Sequence, residues 1–303
     1  MNKKYLYGTV VPIVTPFDEN GDIDLESVQN LTEFCINHGT KCLYPCGSTG
    51  EMLYMSVEER KKVLEAVLTQ TKKRIPVYAQ VGAMTAKDTI NLAKHAVEEG
   101  ADGIGVVTPS YFSFSDDGLV DYYVKISNSV PNNFPVYLYG IPQNAVNDLS
   151  YEAVKRIAEK CPNVVGIKYS YPNIMRILQF MTIRDNTFSV LVGSDALYQN
   201  VVSSGGDGSV CASAMIYSEY FEALYNALDK TDTIRAIAIQ RKINELVAIS
   251  ARKCGIHAMK VILKNEGVIK CDTMRAPMDW LSEQDKEELL KDIADAEYRK
   301  VTI

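Results

Sequence analysis

An α/β fold, a (β/α)8 TIM barrel followed by a C-terminal three-helix appendage, is what this sequence predicts, and three observations predict it. Short β-branched runs alternate with amphipathic helical stretches eight times over about 220 residues, which suits a closed barrel better than an open sheet. Several strand runs are apolar throughout, as in Val164-Val165-Gly166-Ile167, the pattern of strands covered on both faces. The chain has 303 residues, 47% apolar and 23% charged. A chain this long buries about 75% of the surface its unfolded form exposes, so a large core is available. This balance excludes intrinsic disorder, collagen-like repeats and small disulfide scaffolds.

The strands are expected at residues 8–14, 41–45, 76–81, 103–108, 135–139, 164–169, 188–192 and 208–212. Amphipathic stretches lie between them at 25–37, 57–70, 86–99, 119–129, 151–159, 173–183, 197–203 and 219–228. Asp24, Ser56 and Ser150 precede three of these as N-caps, with Glu26, Glu58 and Glu59 in the first turns. Gly39 and Gly100 sit just past helix ends, where a left-handed residue is needed. Three more helical patterns follow near 233–253, 257–265 and 282–298, with no low-complexity linker before them. The chain is therefore expected to divide into a barrel over 1–230 that carries the active site and an appendage over 231–303 packed on it.

The formal charge is -6 and no basic run of five to eight residues occurs, which argues against nucleic acid as a partner. Arg60-Lys61-Lys62 and Lys72-Lys73-Arg74 read as solvated helix faces. No apolar run approaches the ~20 residues that span a bilayer, so no membrane partner is expected. Met1-Asn2-Lys3-Lys4-Tyr5 leads into a short apolar stretch broken by Pro12 and Pro16, unlike a secretory signal. The seven cysteines, at 35, 42, 46, 161, 211, 254 and 271, are an odd, scattered set and read as free thiols in a reducing cytoplasm. Cys42 and Cys46 lie four apart, but His38, His95 and His257 are the only histidines and none lies near another. No histidine–carboxylate cluster is legible, and no metal is expected.

Barrels of this kind place their chemistry at the C-terminal strand ends and in the loops that follow. The second strand leads into Cys46-Gly47-Ser48-Thr49-Gly50-Glu51, where two glycines flank two hydroxyls. Such a turn converges N–H and hydroxyl donors and suits a carboxylate; taken alone it reads equally as an ordinary turn. The sixth strand ends Val165-Gly166-Ile167-Lys168-Tyr169-Ser170. A lysine in an apolar strand is costly unless it faces the barrel mouth, and a buried lysine that loses its charge is the nucleophile that forms Schiff bases with ketones. The plainer reading of Lys168 is a snorkelling edge lysine. The other lysines are expected mostly on polar helical faces. The fifth strand ends Tyr137-Leu138-Tyr139-Gly140-Ile141-Pro142, with both tyrosines on one face and Tyr139 nearer the mouth. Tyr139 fits a proton relay or a rim aromatic. Thr108-Pro109-Ser110-Tyr111-Phe112 brings further aromatics to the mouth, and Gly193-Ser194-Asp195 an acid that equally caps the next helix. Gly205-Gly206-Asp207-Gly208 has the glycines of a phosphate turn but no basic partner nearby.

Gly47-Ser48-Thr49-Gly50-Glu51, Tyr139 with Pro142 three residues on, and Gly166-Ile167-Lys168 together resemble the signature of the N-acetylneuraminate lyase and dihydrodipicolinate synthase superfamily. Gly8-Thr9 through Thr15-Pro16-Phe17 and Gly193-Ser194-Asp195 resemble it too, and the match runs from about residue 6 to the end. The resemblance implies a class I, pyruvate-dependent aldolase. In it Lys168 attacks the C2 ketone of a 2-oxo acid, and Tyr139 relays protons. Ser48 and Tyr111 extend that relay, with Tyr111 crossing from a neighbouring subunit, and Gly47, Ser48 and Thr49 hold the pyruvate carboxylate. The covalent imine on Lys168 is the electron sink, so no metal or organic cofactor is implied. The partners implied are pyruvate and an aldehyde, and the assembly implied is a homotetramer built as a dimer of dimers.

The resemblance leaves the aldehyde open. Dihydrodipicolinate synthases carry an arginine five residues after the strand-five tyrosine, where this chain has Asn144. Sialic acid lyases carry a glutamate after the strand-seven aspartate, where this chain has Ala196 after Gly193 and Asp195. Tyr169 after the lysine fits none of the patterns. A 2-keto-3-deoxy sugar acid is the leading substrate, with sialic acid and the dihydrodipicolinate precursor as alternatives. A barrel that binds ligand without turnover is a distant one, because both Lys168 and Tyr139 are present.

Overall fold

The computed structural model of the protein describes residues 5–251 and 255–301. It opens with β1 (Gly8–Val11), α1 (Leu25–Asn37), β2 (Cys42–Leu43), α2 (Val57–Thr71), β3 (Tyr78–Gln80), α3 (Ala86–Glu98), β4 (Gly103–Val107) and α4 (Asp116–Ser127). It continues with β5 (Val136–Gly140), α5 (Pro142–Ala145), α6 (Tyr151–Lys160), β6 (Val164–Tyr169), α7 (Ile174–Met181), β7 (Ser189–Val192), α8 (Tyr198–Ser203), β8 (Gly208–Val210) and α9 (Ser218–Asp229). The appendage is α10 (Thr233–Ser250), α11 (Gly255–Asn265) and α12 (Glu283–Asp295).

The eight strands form one sheet in the order β2-β1-β8-β7-β6-β5-β4-β3, and every pairing is parallel. Between β2 and β3 the ring closes through a parallel bridge of Leu43 to Val77 and the Gln80 N–H donating to the Pro45 carbonyl at 3.1 Å. The predicted barrel is present, with most strands a little shorter than expected.

The caps act as the sequence suggests. Asp24 accepts from the Ser27 N–H, Ser56 and Glu59 form a reciprocal capping box, and Ser150 accepts from the Ala153 N–H. Each such cap contributes about 1 kcal/mol. Helix α4 starts at Asp116 rather than 119, because Ser115 caps it and Gly118 sits inside its first turn. The helical pattern expected to reach 253 is described as far as Ser250 and Ala251; Lys253 and Cys254 lie outside the described residues. The other six cysteines are free.

Two cores result. Val11, Leu43, Ile104, Leu138, Ile167 and Val190 pack outward against the helices, while Val10, Cys42, Tyr44, Tyr78, Tyr137, Leu191 and Val210 fill the barrel. A Cβ on Gly105 would overlap the Tyr44 hydroxyl, so glycine there lets the phenol cross the interior. Aromatic filling of the lower barrel leaves its upper end for chemistry. One expectation fails: Arg60 is not on a solvated face. It is buried, and its guanidinium donates to the carbonyls of Gly82 (2.9 Å) and Gln80 (2.7 Å), tying α2 to the end of β3. Among the described residues no helix is long and apolar enough to cross a membrane.

Candidate active site

Strands β5 and β6 place Tyr139 opposite Lys168 in their ladder. Both side chains face the barrel interior, while Leu138, Ile167 and Tyr169 face the helices. They are 2% and 5% exposed. The Lys168 Nζ lies 3.9 Å from the centroid of the Tyr139 ring and 5.1 Å from that of Tyr44. Lys168 is thus an interior lysine between two phenols, not a snorkelling edge residue. Tyr139 OH and Ser48 Oγ are 3.4 Å apart, which joins strand five to the turn after strand two.

That turn is tightly wound. The Gly50 and Met52 N–H groups donate to the Gly47 carbonyl, and the Glu51 N–H donates to the Ser48 carbonyl at 3.1 Å. Thr15 Oγ1 donates to the Gly50 carbonyl at 2.8 Å, and a Cβ on Gly50 would press on Thr15 Oγ1 and the Ile13 carbonyl. The amides of Ser48 and Thr49 have no backbone acceptor among the described residues, so both remain available with their hydroxyls. A cavity of about 210 Å³ opens above, with Ser48, Ser110 and Asn144 among its polar lining. Val107, Ile141 and Ala145 line it and also pack on Tyr139, but Tyr139, Lys168, Gly47 and Thr49 are not themselves among its lining residues.

The other expected residues divide. Asn144, on α5, lines the cavity. Gly193 and Asp195 follow β7, outside that lining. The Gly193 N–H donates to the Tyr169 carbonyl at 2.9 Å, and its missing Cβ makes room for Ser170. Asp195 does not cap a helix; its carboxylate accepts from Ser213 Oγ. Burial pushes the Asp195 carboxyl up, with Ser213 opposing. Tyr111 is 76% exposed, with a left-handed φ of 77°, and does not reach the cavity within one chain. Its ring packs edge-on against Phe112, also exposed. Tyr169, the residue that fits no family pattern, points away from the site and donates to Asp148 at 2.9 Å. The Asp207 carboxylate accepts from the Val190 N–H at the opposite end of the barrel, where its glycine turn leads into β8.

One expectation is corrected. Glu65, His95 and Glu99 bring their ligand atoms within 4.8 Å of one another, so a histidine–carboxylate cluster does exist. It lies on the outer helices, toward the end of α3 farther from the mouth, with His95 Nε2 2.9 Å from Glu65. His95 and Glu99 are four residues apart, but Glu65 lies 30 residues from His95, and that distance hid the cluster. Lys260 is an exception to the polar faces expected of most lysines: it is wholly buried and paired with Glu51. The sequence reading also passed over Tyr44 beside Lys168, and Ile256 and Met278, which bring the appendage to the cavity wall.

Comparisons with known proteins bear on the fold and the family. The sequence profile of the Dihydrodipicolinate synthetase family matches residues 5–296. A 4-hydroxy-tetrahydrodipicolinate synthase of Syntrophus aciditrophicus is 33% identical over 282 residues, 93% of this chain and 95% of that protein. The sialic acid aldolase of Ruminococcus gnavus superposes with a TM-score of 0.90 at 30% identity, over 97% of this chain and 99% of that one. YagE of E. coli K12, solved in complex with pyruvate, superposes with a TM-score of 0.91 at 26% identity, again over 97% and 99%.

Proposed function

The chain belongs to the dihydrodipicolinate synthetase family of class I, Schiff-base-forming pyruvate aldolases, and from that premise we propose that Lys168 carries the imine. The observation that supports this most is the pairing of a buried strand lysine with a buried phenol, Nζ 3.9 Å from the ring centroid, the phenol packed on Val107, Ile141 and Ala145 of a cavity wall. The amine adds to C2 of pyruvate, and loss of water gives the imine. Removal of a C3 proton then gives an enamine, whose C3 attacks the aldehyde carbon; cleavage is the reverse. Tyr139, with Ser48 behind it, moves the proton in each step. Ser48 and Thr49 direct N–H and hydroxyl groups at the pyruvate carboxylate, and Gly47 and Gly50 give that turn its shape. The imine supplies the electron sink, and neither metal nor organic cofactor takes part.

For the aldehyde half, the reading we favour is a 2-keto-3-deoxy sugar acid, which releases pyruvate and a neutral hydroxyaldehyde. Two features support it: Asn144 stands where an arginine would receive a second carboxylate, and among the described residues no lysine or arginine lines the cavity. A second reading, 4-hydroxy-tetrahydrodipicolinate synthesis, is favoured by the name of the Syntrophus relative. We take the barrel, 1–230, to carry the chemistry and the appendage, 231–303, to support it. The assembly is a homotetramer in which Tyr111 enters a neighbour's site, and the free cysteines fit a cytoplasmic location.

Borohydride added with pyruvate tests the mechanism. One reduced adduct per chain is expected, on the peptide holding Gly166-Ile167-Lys168-Tyr169, and none in Lys168→Ala. Trapping at another lysine overturns the assignment. Pyruvate release from a panel of 2-oxo sugar acids and sialic acid, run beside condensation of pyruvate with aspartate semialdehyde, decides the substrate.

A further inference from the structure

We propose that Lys260 of the appendage is a positioning residue for the substrate-carboxylate turn, acting through Glu51; this rests on the role given above to Ser48 and Thr49. Glu51 closes the turn with a left-handed φ of 58°, a conformation that a side chain with a Cβ adopts only when its surroundings hold it there. Both of its carboxylate oxygens are held by a segment more than 200 residues away in sequence. Oε1 accepts from Lys260 Nζ, and Oε2 from the Arg275 N–H at 3.1 Å. The Lys260 and Glu51 side chains are both fully buried. Lys260 Nζ also donates to the Thr273 carbonyl at 2.7 Å, and lies 4.4 Å from the centroid of the Phe17 ring. Arg275 shares that ring, at 4.3 Å, and donates to the carbonyl of Tyr54 at 2.7 Å, just beyond the turn.

A buried ion pair is a weak source of net stability, because desolvating two charges offsets most of their attraction. Burial accordingly pushes the Lys260 ammonium down, with Glu51 opposing. What such a pair supplies here is a fixed geometry. Glu51 donates its own N–H to the Ser48 carbonyl, so one hydrogen bond separates the pinned carboxylate from the residue that meets both the pyruvate carboxylate and Tyr139. Breaking the pair leaves one buried charge uncompensated and frees the turn to relax. The appendage thereby sets how well the turn receives pyruvate, without touching the reacting atoms.

The test uses the full-length protein with Lys260→Met and Glu51→Gln. Trapping by borohydride is titrated with pyruvate, and amide hydrogen exchange is followed over residues 47–54. In Lys260→Met, half-saturating pyruvate should rise about tenfold or more, the scale of losing one well-aimed hydrogen bond to a charge. Trapping at saturation should still reach one adduct per chain. The 47–54 amides should exchange faster while those of β5 and β6 keep their protection. Glu51→Gln, which retains hydrogen-bonding atoms but removes the charge, should shift both readouts less. A folded variant with a lowered melting temperature but wild-type half-saturation and exchange would show a purely structural pair and overturn the proposal. If Lys260→Met fails to fold, wild-type values in Glu51→Gln overturn it equally. Absence of trapping in the wild type would instead sink the aldolase reading, and the exchange data would still decide whether Lys260 holds the turn.

Discussion

Tyr139 presents its ring face to Lys168 and its hydroxyl to Ser48, with Nζ 3.9 Å from the ring centroid and the two oxygens 3.4 Å apart. The ring and the hydroxyl thus have separable tasks. The ring packs beside the amine and against Val107, Ile141 and Ala145, and the hydroxyl is the part proposed to carry protons. Tyr139→Phe keeps the first task and removes the second. It should leave the melting temperature close to wild type and slow imine formation by about 10²–10⁴-fold, the usual contribution of a positioned acid–base group. Stopped-flow trapping measures this, and a wild-type rate would remove Tyr139 from the relay.

Asn144 lines the cavity from α5, the short helix that follows β5. Asn144→Arg places a guanidinium there, able to form a bidentate pair with a carboxylate on the incoming aldehyde. The ratio of kcat/KM for aspartate semialdehyde over a neutral hydroxyaldehyde should rise by roughly tenfold or more. Efficient condensation with aspartate semialdehyde by the wild type would show that the synthase reading was set aside wrongly.

The part of the site built from neighbouring strands was legible because strand periodicity is local. Val164–Tyr169 reads as an apolar run with one lysine, and the structure keeps those bounds. What was missed depends on distance in the chain or on ambiguous signals. The short helix α5 was not expected; Pro142 occupies its first turn, where its missing N–H costs nothing. Lys260 lies in the apolar run His257-Ala258-Met259-Lys260-Val261-Ile262, but its partner Glu51 is 209 residues away, and nothing near either residue announces the pair. Tyr111 illustrates a third limit: one chain shows it exposed, and its expected task belongs to an assembly.

Tyr111, Phe112 and Phe114 are 76%, 67% and 48% exposed, an aromatic group at the mouth that a second subunit would cover. Sedimentation should find a tetramer, or at least a dimer, at micromolar concentration. Tyr111→Phe should lower turnover while leaving the sedimentation coefficient unchanged. A fully active monomer would overturn the shared site.

The Glu65, His95 and Glu99 cluster offers a separate check on the metal-free mechanism. Turnover should survive EDTA, and His95→Ala should leave kcat/KM within about twofold of wild type, since an effect that small lies near RT. Activity lost to EDTA and restored by zinc or magnesium would mean that the imine is not the whole mechanism.

Acid should destabilise the protein in two stages, the first through His257. This ring is fully buried; its Nδ1 accepts from the Leu281 N–H at 2.6 Å, and its Nε2 lies 3.2 Å from Asp272. It is therefore held neutral, with the proton on Nε2. Burial pushes its pKa below the ordinary 6.5, with Asp272 opposing. As pH falls below 6.5 the unfolded chain takes up a proton that the folded ring refuses, so stability declines from that pH downward. The second stage comes from carboxylates. Burial raises Asp272, but hydrogen bonds from Lys264 and Lys286 outweigh it and hold the group below its ordinary 3.8. The Arg275 guanidinium, with the Ser56 cap, holds Glu59 at about 2 against its ordinary 4.5. These depressed groups contribute stability that is fully present above their unfolded values and is lost as pH falls through the folded ones. The melting temperature should thus hold level from about pH 8 to 7, drift down below 6.5 and fall steeply below about 4.5. His257→Gln keeps an acceptor for the Leu281 N–H but cannot titrate, so it should flatten the upper stage and leave the lower one in place. Thermal unfolding across this range measures both. A wild-type melting temperature that stays level down to pH 5, or a variant that keeps the full upper decline, would show that His257 is not its source.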